Sequence, residues 1–220
     1  MALTTVIFDI DGLLIDSEPL WHEAATAVFS QYGVKLTDAM YASTTGLRTK
    51  EFVQWWFGYF GIDMKHSADA EKNIVEDVLK RIKEKANIMP GVPHIFEFFA
   101  NKQFKIGLAT SSPPALIDLV VRMTGIQAFL SATASAEYLP YGKPHPQVYL
   151  NCAEAMQSKP TECICFEDSF NGLIAAKSAR MKCVVIPHHS LNKDERWGAA
   201  DLKLSSLQNF GELHFERLNG

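Results

Sequence analysis

Thr4-Thr5-Val6-Ile7-Phe8-Asp9-Ile10-Asp11-Gly12-Leu13-Leu14-Ile15-Asp16-Ser17-Glu18 begins as an apolar, β-branched run and stops at two aspartates one residue apart. Such a run reads as a short buried strand, and Gly12 supplies a break directly after it. In an open α/β sheet the carboxyl ends of the strands form the crevice where ligands sit. Two carboxylates at that point are hard to explain by packing, because unpaired buried charges are expensive. They suit a divalent cation, or nucleophilic and acid–base chemistry. A surface turn of the Asx kind is the alternative that this run alone leaves open.

Downstream, the periodicity divides the chain. Pro19 is placed to begin a helix carrying Leu20, Ala24, Ala27 and Val28, ending near Gly33. A second helix, from Glu51 to Phe60, has a large aromatic load (Trp55, Trp56, Phe57, Tyr59, Phe60) that is expected to be buried in the core of a small helical unit. A third starts at Ser67 and shows Ile74, Val78 and Ile82 on one face. Residues 19–88 therefore read as an all-helical insert, and 1–18 with 89–220 as the α/β domain around it. From Val92 the rhythm alternates between helix and strand: strands at Phe104–Ala109, Phe129–Thr133, Cys163–Phe166 and Cys183–Ile186, an edge strand near Leu202, then a closing helix through Leu207, Phe210 and Leu213. That alternation predicts a largely parallel sheet with right-handed crossovers.

Composition excludes several classes. A net charge of −4 argues against a nonspecific nucleic-acid binder, which needs a basic field. No basic leader precedes an apolar run and no stretch approaches 18 apolar residues, so neither a signal peptide nor a membrane span is expected. Cys152, Cys163, Cys165 and Cys183 form no Cys-x-x-Cys pair and read as buried free thiols of a cytoplasmic protein.

The first strand ends at Asp9 and Asp11, the second at Thr110 and Ser111, and the fourth at Glu167 and Asp168. In a parallel sheet all three groups meet on one rim. Carboxylates from two strand ends make a hard oxygen site suited to Mg²⁺, which also binds phosphate. Zinc fits less well, since the histidines are scattered and His188-His189 reads as loop. Lys143, in Tyr141-Gly142-Lys143-Pro144-His145-Pro146, reads either as a solvated loop residue or as the positive anchor that a phosphate dianion would need opposite these carboxylates. There is no Gly-x-x-x-x-Gly-Lys-Ser/Thr loop, no Gly-x-Gly-x-x-Gly fingerprint and no Gly-x-Ser-x-Gly elbow.

Asp9-Ile10-Asp11-Gly12 through Glu18 resembles the first signature of the haloacid dehalogenase superfamily of phosphotransferases. Thr110 resembles its second, Lys143 its third and Glu167-Asp168 its fourth, in the right order and across the whole core. The segments Leu14–Trp21, Tyr138–Tyr149 and Glu167–Ser169 are similar to the 2-deoxyglucose-6-phosphate/hexitol phosphatase group within it. The resemblance implies a Rossmann-like core with a C1-type helical cap. It also implies a Mg²⁺-dependent phosphatase acting on a small phosphorylated sugar, with no protein partner required. Carried over by motif, Asp9 would be the nucleophile and Asp11 the acid–base. Asp9, the Asp11 carbonyl, Asp168 and Glu167 would lie in or near the metal shell, Thr110 and the Ser111 amide would hold phosphate, and Lys143 would bridge nucleophile and phosphoryl group. Asn171, with Ser169, would brace Lys143 or Asp168. Substrate choice would fall to the cap and its hinge: Glu18, Trp21, Thr45, Gly46 and Arg48.

Two rival readings come from the same family. A β-phosphoglucomutase-type enzyme would carry a histidine four residues beyond Ser17, where this chain has Trp21; His22 is one residue out of register. A phosphonatase would need a cap lysine, and the early cap offers only Lys35 in an unrelated setting. A non-catalytic interaction protein on this fold is expected only where Asp9, Asp11, Lys143 or Asp168 is lost, and all four are present.

Overall fold

In the computed structural model, which describes residues 2–220, the opening strand β1 (Thr5–Phe8) is buried along its whole length at the centre of a sheet. Val6 and Phe8 face one side and Ile7 the other, as the two-residue period of a strand requires, and each side meets its own layer of helices. β1 pairs in parallel with β2 (Lys105–Thr110) and with β4 (Cys163–Glu167). Outside these lie β3 (Leu130–Ser135) against β2, then β5 (Lys182–Val185) and β6 (Leu202–Lys203) beyond β4. The order is β3-β2-β1-β4-β5-β6, all parallel. A parallel sheet covered on both faces explains why its central strands are unbroken apolar runs rather than alternating ones.

Phe8 stacks on Phe96 and Phe166 at 4.7 and 5.0 Å between ring centroids. These rings belong to the layer formed by α5 (Val92–Asn101), α6 (Pro114–Thr124) and α9 (Glu212–Asn219). On the opposite face α7 (Gln147–Ala155) and α8 (Phe170–Ser178) pack over Ile7 and Cys165. All four cysteines are buried free thiols there, as expected, and burial pushes Cys152 and Cys163 up to about 12.

The insert between β1 and α5 is helical throughout: α1 (Glu18–Ser30), α2 (Asp38–Thr44), α3 (Thr49–Phe60) and α4 (Ser67–Lys85). Ala70, Ile74, Val78 and Ile82 form one buried stripe along α4, four residues apart, and this stripe meets α1 and α3. The chain leaves and re-enters the core through adjacent segments: Asp16 N–H donates to Asn87 O and Met89 N–H to Leu14 O, both 2.9 Å.

Two expectations are corrected. Phe52, Trp56 and Phe57 fill the cap, but Trp55, Tyr59 and Phe60 of the same aromatic segment are exposed. α3 has only one packed face, and consecutive aromatics cannot all lie on it. The closing helix is a single 3-10 turn (Leu207–Asn209) followed by α9, because the extended backbone at Phe210 and Gly211 interrupts it; Leu213 is on the surface.

Candidate active site

The register sets the rim. Phe8 lies level with Leu108 of β2 and Phe166 of β4, so Asp9, Thr110 and Glu167 emerge together. The chain runs from β1 outward through β2 and β3 and returns to the other side of β1 for β4, so the switch point where open α/β sheets bind ligands lies between β1 and β4. Lys143, 1% exposed, reaches in from the loop before α7. Its Nζ donates to Asp9 Oδ1 and Glu167 Oε1, each at 2.6 Å, and to Ala109 O at 3.1 Å. Burial alone would depress this lysine, but Asp9 and Glu167 outweigh it and hold Lys143 above its ordinary value. Burial raises Asp9 to about 8, with Lys143 pulling against it and Glu167 and Asp11 pushing further.

Glu167 is fully saturated by donors. Lys143 and the Tyr149 hydroxyl bind Oε1, while the Asp168 amide, the Ser169 amide and the Ser169 hydroxyl bind Oε2. Asp168 and the second oxygen of Asp9 receive no hydrogen bond from any described residue. Asp9, Glu167 and Asp168 offer carboxylate oxygens within 4.8 Å of one another. An all-oxygen set in which Asp9 and Asp168 present carboxylate oxygens to the cavity fits a hard divalent cation such as Mg²⁺. Burial, with Glu18 and Asp9 nearby, raises Asp168 well above the usual carboxylate range, and a cation would relieve that cost. Gly12 makes the close approach possible: its φ is +66°, and a Cβ there would lie 2.1 Å from Asp168 Oδ2.

Asp11 is held by three donors. Ser17 Oγ and Trp21 Nε1 reach Oδ1, each at 2.7 Å, and Ser112 Oγ reaches Oδ2 at 2.6 Å. Trp21 therefore bridges the cap's first helix to this carboxylate. Thr110 is buried at the end of β2, with its hydroxyl accepting the Ser112 amide at 3.0 Å.

The cavity above this rim is lined by Asp9, Asp11, Thr110, Ser111, Lys143 and Asp168 from the core, roofed by Glu18, Trp21, Thr45 and Gly46 of the hinge and cap. Burial among Asp11, Asp9 and Asp16 raises Glu18 to about 8. Two expected site residues lie elsewhere. The Arg48 guanidinium is directed away from the cavity onto the carbonyls of Ala136, Leu139 and Pro140. Asn171 Nδ2 donates to Thr45 O at 2.8 Å, tying the core to the cap rather than bracing Lys143. Ser169 donates to Oε2 of Glu167, the carboxylate whose Oε1 receives Lys143. Tyr149 and Ser112 were missed by the sequence reading, since nothing in one sequence distinguishes them from a core tyrosine and a helix-capping serine. Tyr41, a cavity-lining residue of α2, carried no signal at all.

Fold and acidic rim together define a hydrolase of phosphoric esters. The family model described as haloacid dehalogenase-like hydrolase matches residues 3–180, and the chain belongs to that family. It is 37% identical over 206 residues to hexitol phosphatase B of Escherichia coli K12, covering 93% of each chain. With a phosphorylated carbohydrates phosphatase of Thermotoga maritima it shares 32% identity over 191 residues, 86% of this chain and 88% of the relative. A β-phosphoglucomutase from Clostridium difficile has the same fold, with a TM-score of 0.87 over 99% of this chain and 97% of that one at 22% identity. The chain is thus a phosphatase-type hydrolase acting on small phosphorylated compounds.

Proposed function

We propose that the protein hydrolyses phosphate monoesters of small sugars or sugar alcohols, hexitol phosphates among them, through an aspartyl-phosphate on Asp9. The observation that carries this reading is the Asp9–Lys143 contact on the rim, with the second oxygen of Asp9 unpartnered beside the cavity. Sugar-phosphate activity in the names of the two relatives supports the substrate class.

Asp9, Asp168 and the main-chain carbonyl of Asp11 would hold Mg²⁺, with Glu167 supporting Lys143 from behind. When bound, the cation supplies positive charge against the phosphoryl oxygens, so that one anion can approach another. Asp9 then attacks phosphorus, forming a new P–O bond as the ester P–O bond to the sugar breaks. Lys143 neutralises charge on both Asp9 and the phosphoryl group, while Thr110 and the Ser111 amide hold its oxygens. Asp11 protonates the departing sugar oxygen, then accepts a proton from the water that cleaves the aspartyl-phosphate. The Ser17, Trp21 and Ser112 donors fix where the Asp11 carboxyl group sits beside the cavity. The cap excludes bulk water, and Glu18 presents a carboxyl to the hydroxyls of the leaving group.

The test is phosphate release from hexose, hexitol and nucleoside monophosphates, phosphoglycolate and β-glucose 1-phosphate, with and without Mg²⁺, beside the Asp9→Asn protein. Mg²⁺-dependent release from hexose or hexitol phosphates that vanishes in the variant is expected. Isomerisation of β-glucose 1-phosphate without release would replace the reading by a mutase.

A further inference from the structure

Arg48 stands at the N-cap of α3, where a positive side chain is at odds with the helix dipole and small oxygen-bearing residues are preferred. It is nevertheless 5% exposed. Its Nη1 donates to Ala136 O at 3.0 Å and Leu139 O at 2.5 Å, and Nη2 to Pro140 O at 3.4 Å and Glu51 Oε1 at 2.6 Å. Glu51, one turn along α3, accepts the Gly142 amide at 3.1 Å. Gly142 is pressed so closely against the pair that a Cβ would lie 2.5 Å from Glu51 Oε2 and 2.7 Å from Arg48 Nε. The next residue is Lys143.

We infer that Arg48 and Glu51 are positioning residues that make placement of Lys143 depend on the cap being seated. The inference rests on the phosphatase reading of the site. The segment from Ala136 to Gly142 has no regular secondary structure of its own, and the pair grips four of its main-chain groups. Carbonyls at 136, 139 and 140 converge on one planar guanidinium, a span that a lysine ammonium cannot cover. With the cap lifted, those groups would be solvated and the segment freed next to the lysine that holds Asp9. Closure over a bound ester would then bring the catalytic cation into register in the same movement that excludes water. Neither Arg48 nor Glu51 need touch the substrate.

Two substrates separate this from a direct binding role: a hexitol phosphate, and p-nitrophenyl phosphate, whose leaving group has no sugar hydroxyls. Arg48→Lys and Glu51→Ala should lower kcat on both substrates, by on the order of 10²-fold and 10-fold respectively, with KM nearly constant, since a misplacement of about 1 Å is felt at the phosphoryl group common to both. Amide hydrogen exchange at Gly142 and Lys143 should quicken in both variants. A raised KM with kcat intact, or a loss confined to the hexitol ester, would make Arg48 a substrate contact and overturn the inference. So would unchanged exchange. Glu51, whose side chain is 28% exposed against 6% for Arg48, keeps the test alive if Arg48→Lys does not fold. Should the wild-type protein release phosphate from neither ester, the phosphatase reading fails, and the exchange measurement still judges the coupling of cap to loop.

Discussion

Asp9 and Asp168 are largely buried carboxylates that face the cavity without a full complement of protein donors, and the surrounding residues permit it. Position 12 is the sharpest case. Any side chain there meets Asp168 Oδ2 and must also adopt a φ of +66°. Gly12→Ala is therefore expected to abolish divalent-cation binding by titration calorimetry and to cut phosphate release at least 10²-fold, while backbone strain costs only about 1–3 kcal/mol of stability. Trp21 offers a subtler substitution. Trp21→Phe keeps a large ring in the cap and removes only the N–H on Asp11 Oδ1. Losing this hydrogen bond removes about 1.5 kcal/mol, so kcat should fall roughly tenfold while the melting temperature drops by a few degrees. An unchanged kcat would mean that Ser17 and Ser112 suffice to hold Asp11.

α3 shows how one helix divides its labour. Phe52, Val53, Trp56 and Phe57 face the cap interior, and Trp56 Nε1 donates to Thr44 Oγ1 at 3.1 Å. Trp55 and Tyr59 lie on the outer face, 63% and 70% exposed. In urea denaturation Trp56→Ala should cost about 3–5 kcal/mol, the usual penalty for emptying a large aromatic site. Trp55→Ala should stay within about 0.5 kcal/mol. Equal losses would show that the outer aromatic face is covered by something in solution. The amino end of the same helix carries Arg48 and Glu51, so the element that fills the cap also touches the core beside Lys143.

Across the whole molecule, the carboxylate cluster ties stability to pH and metal. In the metal-free protein Asp9 and Glu18 rise to about 8, above their ordinary values of 3.8 and 4.5. Between those limits these two groups bind more protons in the folded state than in the unfolded one, so their contribution to stability is full below the lower values and is lost as pH rises through about 8. A cation bound by the ionised carboxylates reverses the trend. Thermal melting with Mg²⁺ or with a chelator should show a small metal-dependent shift at about pH 5 and a larger one at about pH 8. A shift independent of pH would place the cation away from these groups. No helix among the described residues is long and apolar enough to cross a membrane.

Much of this was legible in the chain because it rests on local rules. Strand, break and paired aspartates occupy adjacent positions at Val6–Gly12. The change from helical insert to α/β alternation near Val92 follows from periodicity, and the parallel sheet from that alternation, which carries Asp9, Thr110 and Glu167 to one rim. Contacts between distant segments do not follow from local rules, and Lys143 beside Asp9 was expected only through the family resemblance. That Lys143 lies 2.6 Å from Asp9, 134 residues away, depends on how the loop before α7 packs against β1 and β4. The same holds for Trp21 on Asp11 and for Arg48, whose direction at a helix start is not encoded in its spacing. Sequence determined which groups could do the chemistry and on which strands they stand. Only the tertiary structure decided which pair with which, because burial removes water as the competing partner and leaves each charge to the neighbours that packing provides.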